Sequence, residues 1–110
     1  MSFSVSQLKY ILVLGNLAEA GNVRISDIAK TLNIKRSSAF NMLNKLAEAD
    51  VIVKNENKTV EFTKKGRDIA EKLNERVKEA SDKLTDCFDL TPDKAEEYAL
   101  LLISVTGDIA

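Results

Sequence analysis

Apolar side chains along this 110-residue chain recur in five helical stripes and one pair of short alternating runs. Leu8, Ile11, Leu12, Leu14 and Leu17 predict a first helix, capped by Ser6, running to about Ala20 and ended by Gly21-Asn22. Gly15 within it marks a close helix contact. Val23 and Arg24 read as a short extended segment. Ser26 is then placed to cap a short helix whose narrow stripe is Ile28, Ala29 and Leu32. The small Ala29 lets a neighbouring helix approach. Asn33 follows where a corner needs positive φ, a conformation Asn tolerates well for a residue with a Cβ. Ile34 plugs the corner, and Lys35 or Arg36 opens the next helix. Ala39, Met42, Leu43 and Leu46 continue its buried face at i, i+3, i+4 and i+7.

Further along, Val51 to Lys54 and Thr59 to Phe62 are β-type runs around Asn55-Glu56-Asn57-Lys58, a hairpin loop by composition. Thr63 caps a long helix through about Cys87, with Ile69, Ala70, Leu73, Val77, Ala80 and Leu84 as its stripe. Gly66 in its first turn implies close backbone packing. Leu90-Thr91-Pro92-Asp93 starts a fifth helix, with Thr91 as cap, Pro92 at the first position and an acid in the first turn. Its segment Tyr98 to Val105, YALLLISV, is apolar almost all round, a pattern that the surface helix of a small monomer does not sustain. Burial in an interface is expected, with Tyr98, Leu101, Leu102 and Val105 as its residues. The fold expected is mainly α with a small β-hairpin wing. Residues 1–66 are expected to form a winged helix-turn-helix DNA-binding domain, and residues 67–110 a long helix and C-terminal helix for dimerisation.

The chemistry of the helix that follows the corner supports that division. At about 100° per residue, the face opposite its apolar stripe carries Ser37, Asn41, Asn44, Lys45 and Glu48. Ser37, Ser38, Asn41, Asn44 and Lys45 are candidates for base reading, Asn being suited to adenine and Ser to several bases. Ser26, Lys35, Arg36, Lys54, Lys58, Lys64 and Lys65 are candidates for phosphate contact, which sets affinity more than sequence. Phe40 sits on the flank, where it packs against the first helix or the wing, or touches a thymine methyl. The net charge of −1 conceals an asymmetry. From Arg24 to Arg67 there are ten basic residues against five acidic ones, a net of +5, whereas the chain from Asp68 onward carries a net of −6. The basic stretch coincides with the helix-turn-helix and favours a polyanionic partner, double-stranded DNA.

Composition narrows the alternatives. There is no histidine, so the commonest general base and metal ligand are missing. Carboxylates fall at helical surface spacing with lysines, as in Asp68 with Lys72 and Glu79 with Lys83. No phosphate loop and no nucleophile beside a base is present, so an enzyme, a cofactor and a metal site are not expected. One cysteine excludes an internal disulfide, and the lack of a signal peptide or long apolar run reads as cytosolic. Cys87 lies beside Asp86 and reads as a part-buried thiol at a helix end, since activation of a thiol needs positive neighbours.

The phrases Val23-Arg24-Ile25-Ser26-Asp27-Ile28-Ala29, Ser37-Ser38-Ala39, Lys45-Leu46 and Phe62-Thr63-Lys64-Lys65-Gly66 resemble the winged-helix repressors of the iron- and manganese-dependent family. The likeness runs from about residue 7 to residue 103. The Thr-x-x-Gly turn after the wing is shared with the multiple-antibiotic-resistance regulators. The resemblance implies DNA binding as a homodimer, with the second helix of the motif in the major groove. The family's metal ligands are acids and histidines on the first, fourth and fifth helices. In those regions this chain has Lys9-Tyr10-Ile11-Leu12, Arg76-Val77-Lys78 and Tyr98-Ala99-Leu100-Leu101-Leu102, which offer no ligand set for a divalent cation. The expected function is therefore a dimeric, sequence-specific transcriptional regulator, a repressor by resemblance, without a metal corepressor. Two alternatives stand beside it: a winged-helix module for protein assembly, and a regulator sensing a small organic ligand at the dimer core.

Overall fold

The computed structural model describes residues 3–107, in the order α1 (Val5–Ala18), β1 (Val23–Arg24), α2 (Ile25–Leu32), α3 (Arg36–Glu48), β2 (Ile52–Lys54), β3 (Thr59–Phe62), α4 (Lys64–Phe88) and α5 (Pro92–Thr106). It is the expected mainly α fold with a small sheet. The boundaries follow local hydrogen bonding. α1 starts two residues before the Ser6 expectation, because Ser4 and Gln7 form a capping box: Ser4 Oγ accepts from Gln7 N at 3.2 Å and Gln7 Oε1 from Ser4 N at 2.9 Å. Ser26 does not cap α2. The strand β1 runs straight into that helix, and the Asp27 carboxylate accepts from Arg24 N at 3.0 Å, so Ser26 falls inside the first turn.

The sheet has one strand more than the expected hairpin. β3 lies between β1 and β2, antiparallel to both, with Val23 opposite Val60 and Lys54 also opposite Val60 from the other side. Two-residue β1 thus ties the start of β3 to the start of α2. Asn33 adopts φ 55°, as the corner requires, and Ile34 N returns to Ala29 O at 3.0 Å. Ile34 itself remains 36% exposed and does not plug the corner. The turn is closed by the backbone of Ala29, so the side chain is left free to line the surface.

One core joins the elements. Leu8, Ile11 and Leu14 of α1, Ile28 of α2, Leu43 and Leu46 of α3, Val51, Leu73 of α4 and Leu100 of α5 are all buried almost completely. Tyr10, not assigned to the core from its sequence position, is buried as well, and burial pushes its phenol pKa above the ordinary 10.0. Met42 and Leu17 are only half-buried. Where the wing meets α4, Thr63 caps the helix by accepting from Gly66 N at 3.0 Å, and donates to Asp50 O at 2.6 Å. Gly66 lies so close to Val51 that a Cβ would overlap its carbonyl oxygen. Gly15, by contrast, has ordinary space, with Phe62 Cε2 at 3.9 Å from a built Cβ. The close contact expected there is absent.

α4 has 25 residues and outruns the core. Its first half is buried through Ile69, Ala70, Leu73 and Val77, whereas Ala80 and Leu84 are half-buried and Phe88 is 68% exposed. α5 folds back against it after Asp89 takes φ 55°, with Thr91 Oγ1 accepting from Lys94 N. The molecule is accordingly elongated, 46 × 26 × 23 Å. Cys87 is exposed rather than part-buried, because the helix has left the core by that point. The surface of this arm carries ion pairs one turn apart, Arg76 with Glu79 at 4.0 Å and Lys94 with Glu97 at 3.7 Å, both solvated. Pairs of this kind contribute little to stability. No helix among the described residues is long and apolar enough to cross a membrane.

Candidate nucleic-acid interface

α3 presents its polar face outward because Ala39, Leu43 and Leu46 anchor the opposite one. Ser37, Ser38, Asn41 and Lys45 are exposed, and Asn44 is half-buried. On an α-helical wheel these residues span about 120°, with Asn41 at the middle. The two flanks meet different neighbours. Ser38, Asn41 and Lys45 border a groove of about 510 Å³ whose far wall is Ser6 and Lys9 of α1. The other flank, Phe40 and Asn44, faces the wing.

That second flank is not open. Lys54, the last residue of β2, donates from Nζ to Asn44 Oδ1 and lies over the Phe40 ring, 4.4 Å from its centroid. Phe40 and Asn44 are one helical turn apart, so a single lysine spans both. A cation over an exposed ring contributes about 0.5–1 kcal/mol, enough to bias the wing toward one position against α3. Phe40 thus packs on the wing and keeps 45% of its surface exposed.

The candidate phosphate contacts are distributed around this face. Lys35 stands at the start of α3 as its N-cap residue and Arg36 as its first helical residue, both exposed, and the helix N-terminus adds unsatisfied backbone N–H groups beside them. Lys58 lies in the tip of the wing with φ 65°. The tip is rigid for its size. Asn55 N donates to Thr59 O at 2.9 Å, and Thr59 Oγ1 donates to Asn57 Oδ1 at 2.6 Å while accepting from Asn55 Nδ2 at 3.1 Å. Lys64 is exposed at the start of α4, whereas Lys65 donates to Ala49 O at 3.3 Å, closing the junction between α3 and the wing. Ser26 is half-buried in the first turn of α2.

Three further residues border this face that the sequence reading did not assign to it. Ser6 and Lys9 reach the groove beside α3 only because α1 packs across the helix-turn-helix, and nothing in their local pattern distinguishes them from solvated surface. Arg24 is brought level with Thr59, at the tip end of β3, by β1. Among the described residues, no three of the His, Cys, Asp and Glu side chains come together in a way that would hold a metal ion.

Comparison with known proteins agrees with this geometry. The MarR family matches residues 8–59, the stretch from α1 to the start of β3. No curated protein matches the chain significantly. Among solved structures, the manganese regulator SloR superposes with a TM-score of 0.80 at 22% identity, over 99% of this chain and 50% of that one. IdeR of T. acidophilum superposes with a TM-score of 0.69 at 20% identity, over 96% of this chain and 49% of that one. Ligand-free NadR gives 0.59 at 26% identity, over 91% and 70%. The chain therefore spans about half the length of the first two. The fold shared with these structures is a winged helix-turn-helix.

Proposed function

We propose, with a winged helix similar to the MarR family as the premise, that this chain is a sequence-specific DNA-binding transcriptional regulator acting as a dimer. The observation that carries the reading is one exposed surface, made by α3 and the wing, with hydroxyl and amide side chains at its centre and cations around its edge. α3 enters the major groove, where Ser37, Ser38, Asn41, Asn44 and Lys45 meet base edges. Lys35, Arg36, Lys58, Lys64 and Lys65, with Ser26 and Lys54, face the flanking phosphates. Residues 1–66 do the reading and residues 67–110 hold two copies together.

The dimer reading rests on the far end of the molecule. Tyr98, Leu101, Leu102 and Val105 are 44%, 44%, 50% and 84% exposed, and Phe88 is 68% exposed beside them. Tyr98, Leu101 and Leu102 border, with Leu84, Phe88 and Leu90, an almost wholly apolar cup of about 460 Å³. Contiguous apolar surface of this kind is removed from water by association, and a two-fold axis lets the same patch serve both copies. SloR is described as a manganese regulator, but this chain has Lys9-Tyr10-Ile11-Leu12 and Arg76-Val77-Lys78 in two of the regions where the metal-dependent family carries ligands. The regulator proposed therefore uses no metal corepressor.

The test is binding of the purified chain to random duplex DNA across a salt titration, followed by selection from a genomic library. Affinity that falls steeply with salt, together with an enriched palindrome, is the expected result. No affinity even at low salt would refute the DNA reading and leave protein assembly as the role of the fold. Tight stoichiometric manganese or iron binding in calorimetry would refute the metal-free mechanism.

A further inference from the structure

We infer that Lys54 fixes the direction in which Asn44 reads DNA, making it a hydrogen-bond donor only; this rests on the DNA-binding role proposed above. A free asparagine side chain offers both an acceptor and a donor, and that pair is what matches the N6 and N7 edge of adenine. Asn44 is not free in this sense. Its Oδ1 accepts from Lys54 Nζ, and because an ammonium has hydrogens and no lone pair, the atom that meets it must be the carbonyl oxygen. The amide NH2 is consequently the end left to meet a base.

Lys54 is well placed to enforce this. It ends β2, paired with Val60 of the central strand, so its backbone is held by the sheet. Its head lies over Phe40, one turn before Asn44 on the same helix flank, so the ammonium is restrained from two sides. The half-buried position of Asn44 and Lys54 limits exchange of that bond with water. A donor-only amide at this flank favours a base presenting an acceptor and nothing else along its major-groove edge. Guanine, with O6 and N7, fits; adenine, whose N6 is itself a donor, loses the reciprocal bond. Lys54 is thus a positioning residue for specificity, in addition to any attraction its charge has for phosphate.

The inference is tested by selecting binding sites from a randomised duplex library with the wild-type chain and with Lys54→Met, Lys54→Arg and Asn44→Ala. Circular dichroism and thermal unfolding establish first that each variant folds. The wild type is expected to prefer guanine at one position of each half-site, by about fivefold over adenine. Lys54→Met keeps a stem over Phe40 but frees the amide to turn, so adenine gains at that position and the preference falls to about equal. Lys54→Arg retains a donor to Oδ1 and retains the preference, and Asn44→Ala flattens it. Loss of the lysine charge lowers affinity on all sequences alike, so the relative base preference separates positioning from attraction. A motif that is identical for the wild type and Lys54→Met, or unchanged by Asn44→Ala, overturns the inference while leaving DNA binding intact. A wild type that enriches no sequence overturns both.

Discussion

Replacing Gly66 by Ala should destabilise the protein, although the position is in the first turn of a helix where alanine is normally favoured. On propensity alone the change gains up to about 1 kcal/mol. The structure opposes it at one point. A Cβ at Gly66 would overlap the carbonyl oxygen of Val51, lie 2.8 Å from the carbonyl carbon and sit 3.1 Å from Phe62 Cδ1. The overlap with the oxygen sets the requirement, so the backbone of Val51 and the first turn of α4 must separate by more than about 1 Å. Val51 is fully buried, and its carbonyl accepts from Thr63 N at 3.1 Å and from Thr63 Oγ1 at 3.2 Å. Opening this junction therefore strains about 1–3 kcal/mol of packing and weakens a helix cap that contributes about 1 kcal/mol. The net expectation is a loss of about 2 kcal/mol, or roughly 10 °C in Tm for a domain of this size. Thermal unfolding followed by circular dichroism measures it, with Gly15→Ala as the paired control. At Gly15 the nearest atom to a new Cβ is Phe62 Cε2 at 3.9 Å, and the same substitution in the last turn of α1 should stabilise by about 0.5–1 kcal/mol. A Gly66→Ala variant as stable as the wild type, or one that responds as Gly15→Ala does, would show that the wing junction is not held by this close approach.

The remaining predictions concern the interface, the dimer and alkaline pH. Asn41→Ala should lose about 1–3 kcal/mol of binding and relax one base position, whereas Lys58→Ala should weaken all sequences similarly and lower the salt slope by about one per protomer; equal effects on every sequence would contradict this division. Leu101→Glu should convert a dimer to monomer in sedimentation analysis while moving monomer stability by no more than about 0.5 kcal/mol, and an unchanged sedimentation coefficient would exclude α5 as the interface. The Tyr10 phenol is raised by burial, so between the ordinary 10.0 and its folded value the unfolded chain loses the proton first. Stability should therefore fall as pH rises above 10.0, and Tyr10→Phe should make that fall shallower in unfolding experiments at alkaline pH; an identical slope would show that the phenol does not contribute.

Most of the helical layout was legible because each helix carries its own period and its own cap. The Asn33 corner and the Thr63 and Thr91 caps are local arrangements, set by neighbours within a few residues. Errors arose where a competing local solution existed. Ser4 with Gln7 formed the capping box that Ser6 lacked a partner for, and Asp27 satisfied Arg24 N so that Ser26 was not needed as a cap. Gly15 misled for a different reason, since a glycine in a helix signals close approach only if another backbone arrives there.

The interface divides in the same way. The sequence by itself determined a polar, hydroxyl- and amide-rich face on α3 and a basic stretch around it, because a helical period fixes which side chains share a face. It also determined which side of α4 is apolar, from Ile69 to Leu84. Only the tertiary structure decided what flanks α3. Packing of α1 across the motif brought Ser6 and Lys9 to one side, and pairing of β2 with β3 brought Lys54 onto Phe40 and Asn44 on the other. It alone decided, too, that α4 outruns the core and leaves an apolar arm exposed. Periodicity orders residues within an element, but the contacts between elements depend on strand pairing and helix packing, which no local spacing encodes.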